Sequence, residues 1–351
     1  MTSWVASAPG KAVLLGEYAV LDGAPALVQA VNRRCTARLV PVAGQIGRVE
    51  ALQLDSRPVR FVLDGHGRPR WQDDFPPGFA PAAAVIESVL AYIGRHAGRV
   101  VPFALRIDSG ALFSGATKLG IGSSGATAVA IDAVLKAAFL EHQGLAEKQE
   151  SASAAVTRLR AAQQPDAARA GSGIDLAASL CGGMLQFRLA GDAVELEAVR
   201  LPRDLSLVFV WAGRPAATSA FLDAWRQLES SSPGDHAELL ATMRTLAEAG
   251  RRAVADADGA AFLDALAGYG CIMGKMNDLL GQEVMTAGHR HAAAAVQRMG
   301  GVYKPCGAGG GDIGLAASDE PDFGRRLRQL APDLTTLDLQ PDEHGVRVEQ
   351  E

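Results

Sequence analysis

Apolar and polar positions follow two periods along this chain, and the stretches that carry them come in blocks. Residues 4–8 read as a short strand that turns at Ala8-Pro9-Gly10-Lys11 and resumes over 12–15. Val28, Val31, Thr36 and Leu39 mark alternation over 27–40, and 103–107 repeats it, so both are predicted strands. Ala84, Ile86, Val89 and Leu90 recur at helical spacing and predict a helix over 81–92; two more helices are predicted at 126–140 and 146–162, the second ended by Pro165. The helix over 126–140 is apolar on most sides, which predicts burial beneath a sheet. A short helix over 176–180 and a strand over 184–188 follow. The second block opens with a β-biased run over 205–210. Helices come next at 217–230, 235–256, 259–280 and 286–299, then an apolar run at 313–317, a helix at 320–330 and a strand near 334–340. Residues 41–78 hold only short strand-like pieces such as 59–63. Strands then helices in each block, without strict βαβ alternation, predict an α+β fold rather than a doubly wound sheet.

At 351 residues the chain exceeds one small core, and a boundary within 188–202 divides it into expected domains 1–195 and 196–351. A net charge of −5 leaves no basic excess to neutralise a nucleic-acid backbone, so any anionic ligand must meet local cations. Cys35, Cys181, Cys271 and Cys306 are far apart with no CxxC pair, which fits reduced thiols. Lys11, Glu17 and Asp22 interrupt the early apolar runs, and no window reaches the ~20 apolar residues of a membrane span. These features predict a cytoplasmic protein with no membrane or nucleic-acid partner; a monomer or homodimer is expected.

Candidate chemistry lies in three glycine-bearing stretches. Lys118-Leu119-Gly120-Ile121-Gly122-Ser123-Ser124-Gly125 feeds a helix start, where free N–H groups and the helix dipole suit phosphate. It is not a Walker loop, because no Gly-Lys-Ser/Thr ends it. Ala8-Pro9-Gly10-Lys11 with Gly16-Glu17-Tyr18 precedes it. Lys304-Pro305-Cys306-Gly307-Ala308-Gly309-Gly310-Gly311-Asp312 follows it between two apolar elements, where a mere linker is out of place. His289 and His291, two apart on a predicted helix, cannot share a metal there; the other histidines are expected at the surface.

With these stretches in this order, the sequence resembles the GHMP kinase superfamily over nearly its whole length. Within it the phosphomevalonate kinases are most similar, through Lys118 ahead of the glycine loop and Trp211-Ala212-Gly213-Arg214-Pro215-Ala216. The resemblance implies an N-terminal ribosomal-protein-S5-like α/β domain that binds ATP and a C-terminal ferredoxin-like α+β domain. It implies ATP contacts from Lys118, Gly120, Gly122, Ser123, Ser124 and Gly125, with Ser123 or Ser124 also turned toward Mg²⁺; helix capping is the competing use of either serine. Lys11 and Asp175 are the implied catalytic pair, Asp175 otherwise being a helix cap. Tyr18, Arg214, Gly309 and Gly310, with Lys11 and Lys118, are the implied substrate contacts. Two positions depart from the family pattern: Ile121 replaces Leu, and Cys306 stands where Ser is common, removing a strong hydrogen-bond donor.

The expected reaction is in-line transfer of the γ-phosphoryl group of ATP to 5-phosphomevalonate. A phosphate monoester with its second pKa near ~6 is already dianionic at neutral pH and needs no base. It needs cations against like-charge repulsion, and Lys11, Lys118 and Arg214 are the expected ones. The alternatives are a kinase of a hydroxyl acceptor such as mevalonate, homoserine or a sugar, and a non-catalytic metabolite or nucleotide sensor. A diphosphomevalonate decarboxylase is disfavoured, since Lys11 stands where those enzymes carry Asn.

Overall fold

The computed structural model describes residues 2–96, 98–140, 142, 144, 150–163, 171–191 and 193–351. Its main sheet is built on two long antiparallel strands, β1 (Trp4–Leu15) and β2 (Ala26–Pro41). The expected turn at Ala8-Pro9-Gly10-Lys11 is instead an irregularity inside β1, with the register shifting between Pro9 and Gly10. Proline has no N–H to give a ladder and is tolerated at such a bulge. Gly10 is required there, because a Cβ would sit 2.5 Å from the carbonyl oxygen of Ile121.

The stretch 41–78, barely legible in sequence, supplies β3 (Ile46–Ala51), β4 (Asp55–Leu63) and β5 (Pro69–Trp71). The far edge of β2 pairs with β6 (Phe103–Asp108) over its C-terminal part and with β9 (Met184–Ala190) over its N-terminal part. Between these in sequence, β7 (Phe113–Ser114) and β8 (Thr117–Lys118) form a two-stranded hairpin ahead of the second glycine stretch. Strand β10 (Ala193–Val199) folds back on β9 inside the interval read from sequence as a boundary. The helix α1 (Ala80–Arg95) packs against α2 (Ser123–Phe139) and α3 (Ala152–Gln163), and α2, α3 and α4 (Ile174–Cys181) pack on this sheet. As its composition predicts, α2 is buried along most of its length, its small residues lying against β1 and β2. It begins three residues before the expected start, so Ser123 to Gly125 form its first turn. The expected end of α3 at Pro165 falls outside the described residues.

A four-stranded sheet in the order β12-β13-β11-β14 follows, made of β11 (Ser206–Trp211), β12 (Val302–Pro305), β13 (Ile313–Ser318) and β14 (Thr336–Leu337). Its helices are α5 (Thr218–Ser231), α6 (Pro233–Ala255), α7 (Gly259–Leu280), α8 (Ala287–Gln297) and α9 (Phe323–Leu330), close to the predicted spans. Helix α6 touches the end of β1 at Gly250, where a Cβ would fall on Leu15. One apolar core therefore runs through both halves.

The last strand, β15 (Arg347–Gln350), returns to pair with the start of β1. Arg34 secures that return, bonding Asp342 at 2.5 Å and the Gly345 carbonyl at 2.7 Å. Nothing in the local sequence signals it. His236, expected at the surface, is buried with its ring 4.5 Å from that of Trp225. Among the described residues no helix is long and apolar enough to cross a membrane.

Candidate active site

All three glycine stretches converge on one cleft of about 580 Å³, a size suited to a small-molecule site. Its floor is the start of α2. Gly122 precedes the helix at φ 81°, a left-handed conformation that glycine adopts freely, and among the described residues no side chain caps the first turn. Neither Ser123 nor Ser124 spends its hydroxyl on capping, so the leading N–H groups and the dipole end of α2 remain for an anion. Ser123 is buried; Ser124 is exposed, and its Oγ accepts from Gln163 at the end of α3 at 3.1 Å.

Lys11 and Asp175 both line the cleft. Strand β1 carries Lys11 in, its N–H donating to the Ile121 carbonyl at 2.8 Å and its Nζ lying 3.5 Å from the Gly120 carbonyl. Gly122 is pressed against it, since a Cβ there would meet Lys11 Cγ at 2.7 Å. Asp175 sits in the first turn of α4, over Gly125, whose missing Cβ would stand 2.8 Å from the Asp175 carboxyl. Gly125 thus lets α2 and α4 approach and seats Asp175, rather than facing the cleft itself. The expected pairing of Lys11 with Asp175 is not made: among the described residues no ion pair or hydrogen bond engages the Asp175 carboxylate.

Lys118 is exposed at the rim of the cleft, and Gly120 lines it at φ 73°. A Cβ on Gly120 would fall inside the carboxyl group of Asp312. Asp312, at φ 58°, is braced by the segment after β11: its N–H donates to Arg214 O at 2.7 Å and its Oδ1 accepts from Ala216 N at 3.0 Å. Burial raises the Asp312 pKa, opposed by the Ala216 hydrogen bond and the charges of Lys11 and Lys118.

The third stretch reaches the cleft through Cys306, Gly307 and Ala308. Burial pushes the Cys306 thiol up to about 11, so it stays protonated at neutral pH. Gly309 and Gly310 do not line the cleft: a Cβ on Gly309 would lie 2.6 Å from Val284 O, and one on Gly310 would enter the ring of Phe221. Arg214 is also turned away, its Nε donating to Gly310 O at 2.8 Å and its Nη2 pairing with Glu283 at 2.9 Å. Tyr18 does line the cleft, at φ 61°, with its hydroxyl donating to the Ala308 carbonyl. Burial, with the nearby Glu17 charge adding, pushes that phenol well above its ordinary value.

Sequence reasoning missed several contributors. Arg160, Gln163 and Arg226 line the cleft from helices whose facing side only the tertiary structure reveals. Glu17 and Lys304, quoted only as parts of motifs, form an ion pair at 2.5 Å with both side chains almost fully buried. A lysine inside an apolar strand was the signal available for Lys304.

No protein-family model matches the chain. Its sequence is 28% identical over 344 residues to phosphomevalonate kinase from Streptomyces sp. (strain CL190), with 90% of each protein covered. A Lin0012 protein from Listeria innocua superposes with a TM-score of 0.86 at 18% identity, over 99% of both chains. Streptococcus pneumoniae phosphomevalonate kinase, solved with phosphomevalonate and AMPPNP, superposes with a TM-score of 0.75 at 18% identity, over 96% of this chain and 99% of that one. The chain has the two-domain α+β fold of the GHMP kinases, and among them it resembles phosphomevalonate kinase.

Proposed function

We propose that this protein transfers the γ-phosphoryl group of ATP to the phosphate of 5-phosphomevalonate, giving 5-diphosphomevalonate and ADP. The observation that carries the reading is the meeting of Lys11 and Lys118 with the uncapped start of α2 in one cleft. A dianionic acceptor approaching a triphosphate meets repulsion first, and preorganised positive charge aimed at the transferring group relieves it. In this reading the α2 amides hold the nucleotide phosphates, and Lys11 and Lys118 neutralise the transferring and accepting groups. Of the three cations expected from sequence, Arg214 is replaced as a cleft residue by Arg160 and Arg226.

Among the described residues no cluster of three or more His, Cys, Asp or Glu side chains is gathered that could hold a metal unaided. The donor set at the α2 start still fits Mg²⁺, which takes a few hard oxygen ligands and completes its shell with phosphate and water. The Ser123 and Ser124 hydroxyls and the unengaged Asp175 carboxylate are the residues that would hold it. When bound, Mg²⁺ withdraws charge from the phosphates.

One observation favours a second reading, a hydroxyl acceptor such as mevalonate. An unengaged Asp175 carboxylate is what a general base for a hydroxyl requires. ADP release measured across 5-phosphomevalonate, mevalonate, homoserine and a hexose separates the two. The first reading expects turnover of 5-phosphomevalonate above all others; turnover of mevalonate but not its 5-phosphate overturns it. The partners in either case are small anionic molecules, and we place the activity in the cytoplasm.

A further inference from the structure

Glu17 and Tyr18 follow β1 directly, and both reach across to the third glycine stretch. Glu17 Oε1 accepts from Lys304 Nζ at 2.5 Å and from Gly307 N at 3.2 Å; the Tyr18 hydroxyl donates to the Ala308 carbonyl. Lys304 also donates to the Pro305 carbonyl at 2.6 Å and has no exposed surface. From behind, the Tyr269 hydroxyl donates to the Glu17 carbonyl at 2.7 Å, fixing the backbone of the clamp. Among the described residues Glu17 Oε2 is buried with no hydrogen-bond partner, and Tyr18 holds a positive φ of 61°. Both features cost stability. A buried ion pair is itself weak evidence for stability, since an apolar pair of similar volume often serves as well. These costs converge on contacts that place Cys306, Gly307 and Ala308 against the cleft, and Gly307 lies where a Cβ would be 3.9 Å from Lys11 Nζ.

We propose that Glu17, Tyr18 and Lys304 are positioning residues: a buried clamp that sets the third glycine stretch against Lys11 and so shapes the wall where the phosphoryl group moves. The proposal reassigns Tyr18 from substrate contact to clamp, and it rests on the phosphoryl-transfer reading above. The clamp spans the molecule, joining the strand that carries Lys11 to β12. A displaced wall lowers kcat, because orientation of the reacting groups is lost at little cost in ground-state binding.

The test compares Glu17→Gln, Glu17→Gln/Lys304→Met and Tyr18→Phe with the wild-type protein. Each is followed by Tm, by kcat and KM for ATP and 5-phosphomevalonate, and by amide hydrogen exchange over 304–312. Glu17→Gln strands a buried ammonium and is expected to lower Tm by about 10 °C. The double variant removes the charge as well; its Tm is expected to return to within about 3 °C of wild type. Its kcat stays at least about tenfold low, with KM little changed and exchange over 304–312 at least about tenfold faster. Tyr18→Phe is expected to lower kcat several-fold and speed exchange around Ala308 while Tm stays near wild type. If kcat and exchange recover together with Tm in the double variant, the pair is structural only and the proposal is overturned. Unchanged exchange and kcat in Tyr18→Phe overturns it too. If the wild-type protein fails to turn over 5-phosphomevalonate, the functional reading fails, and exchange over 304–312 still decides the clamp.

Discussion

Two glycine-rich stretches face the same cleft and differ in how their backbone groups are engaged. In 118–125 Gly120, Gly122 and Gly125 pack against Asp312, Lys11 and Asp175, yet Gly122 leaves α2 uncapped, and among the described residues its leading amides have no side-chain partner. In 304–312 the backbone groups are themselves taken up. Gly309 is set against Val284 and Gly310 against Phe221, while Gly310 N donates to Val284 O at 2.8 Å. The Gly311 carbonyl accepts from His289 at 3.0 Å, and Arg214 holds the Gly310 carbonyl. The first stretch keeps its leading amides open among the described residues, and the second is a wall already engaged from behind. Glycine content alone does not separate a binding loop from a packed one. The partners of the backbone groups do.

The comparison is broken most directly by adding a methyl group to each stretch. Gly120→Ala puts a Cβ in the Asp312 carboxyl at a positive φ, and is expected to cut kcat by about 10²–10³-fold by displacing the loop. Gly310→Ala puts a Cβ in the Phe221 ring and is expected to lower unfolding stability by about 3 kcal/mol, with a smaller loss of kcat in the folded fraction. Denaturant unfolding and steady-state kinetics on both variants check the contrast, and matching stability losses with matching kinetics would erase it.

Lys118→Ala is expected to cost about 10²-fold in kcat/KM for a phosphate-bearing acceptor. Lys118 is exposed at the rim with no packing role, so Tm should hold. An unaltered kcat/KM points to the hydroxyl-acceptor reading.

The packed stretch carries a pH dependence through His289. His289 is buried, its Nε2 bonded to the Gly311 carbonyl and its Nδ1 2.8 Å from the Tyr303 hydroxyl. With Gly311 taking the Nε2–H, Nδ1 accepts from Tyr303. Burial lowers the His289 pKa to about 4 from an ordinary 6.5. The unfolded chain therefore binds a proton more readily between those values. The stability that neutral His289 confers is complete above pH 6.5 and is lost as pH falls toward 4, by roughly 3 kcal/mol in all. Urea unfolding from pH 7 to 4.5 should show that slope in wild type and a shallower one in His289→Gln; equal slopes would remove His289 as the cause.

Arg214→Ala carries the smallest effect. Its pair with Glu283 is half-exposed, and such pairs contribute little to stability. The acceptor KM is expected to change less than about threefold. A rise above tenfold would return Arg214 to the cleft as a substrate cation.

The fold was legible wherever periodicity is local. The four helices between 217 and 299 and the strands β2 and β6 lie within a few residues of their predicted spans. What escaped depends on distant partners: the return of β15 to β1, the pairing of β10 with β9, and the continuity of β1 through Pro9-Gly10. The site divides in the same way. Lys11, Lys118, Gly120, Gly122, Ser123, Ser124 and Asp175 could be named from motifs and do line one cleft. Arg214, Gly309 and Gly310 belong to equally recognisable motifs, yet their side of the chain faces Glu283, Val284 and Phe221. No local pattern encodes which face a loop presents.

The measurement that bears most directly on this contrast is peptide-level amide hydrogen exchange with and without Mg²⁺ and AMPPNP. The α2 start over 121–126 should exchange quickly alone and gain at least about tenfold protection with nucleotide, while 306–311 is protected beforehand and changes little. Protection gained over 306–311, with none over 121–126, would contradict the assignment of the nucleotide to the open loop.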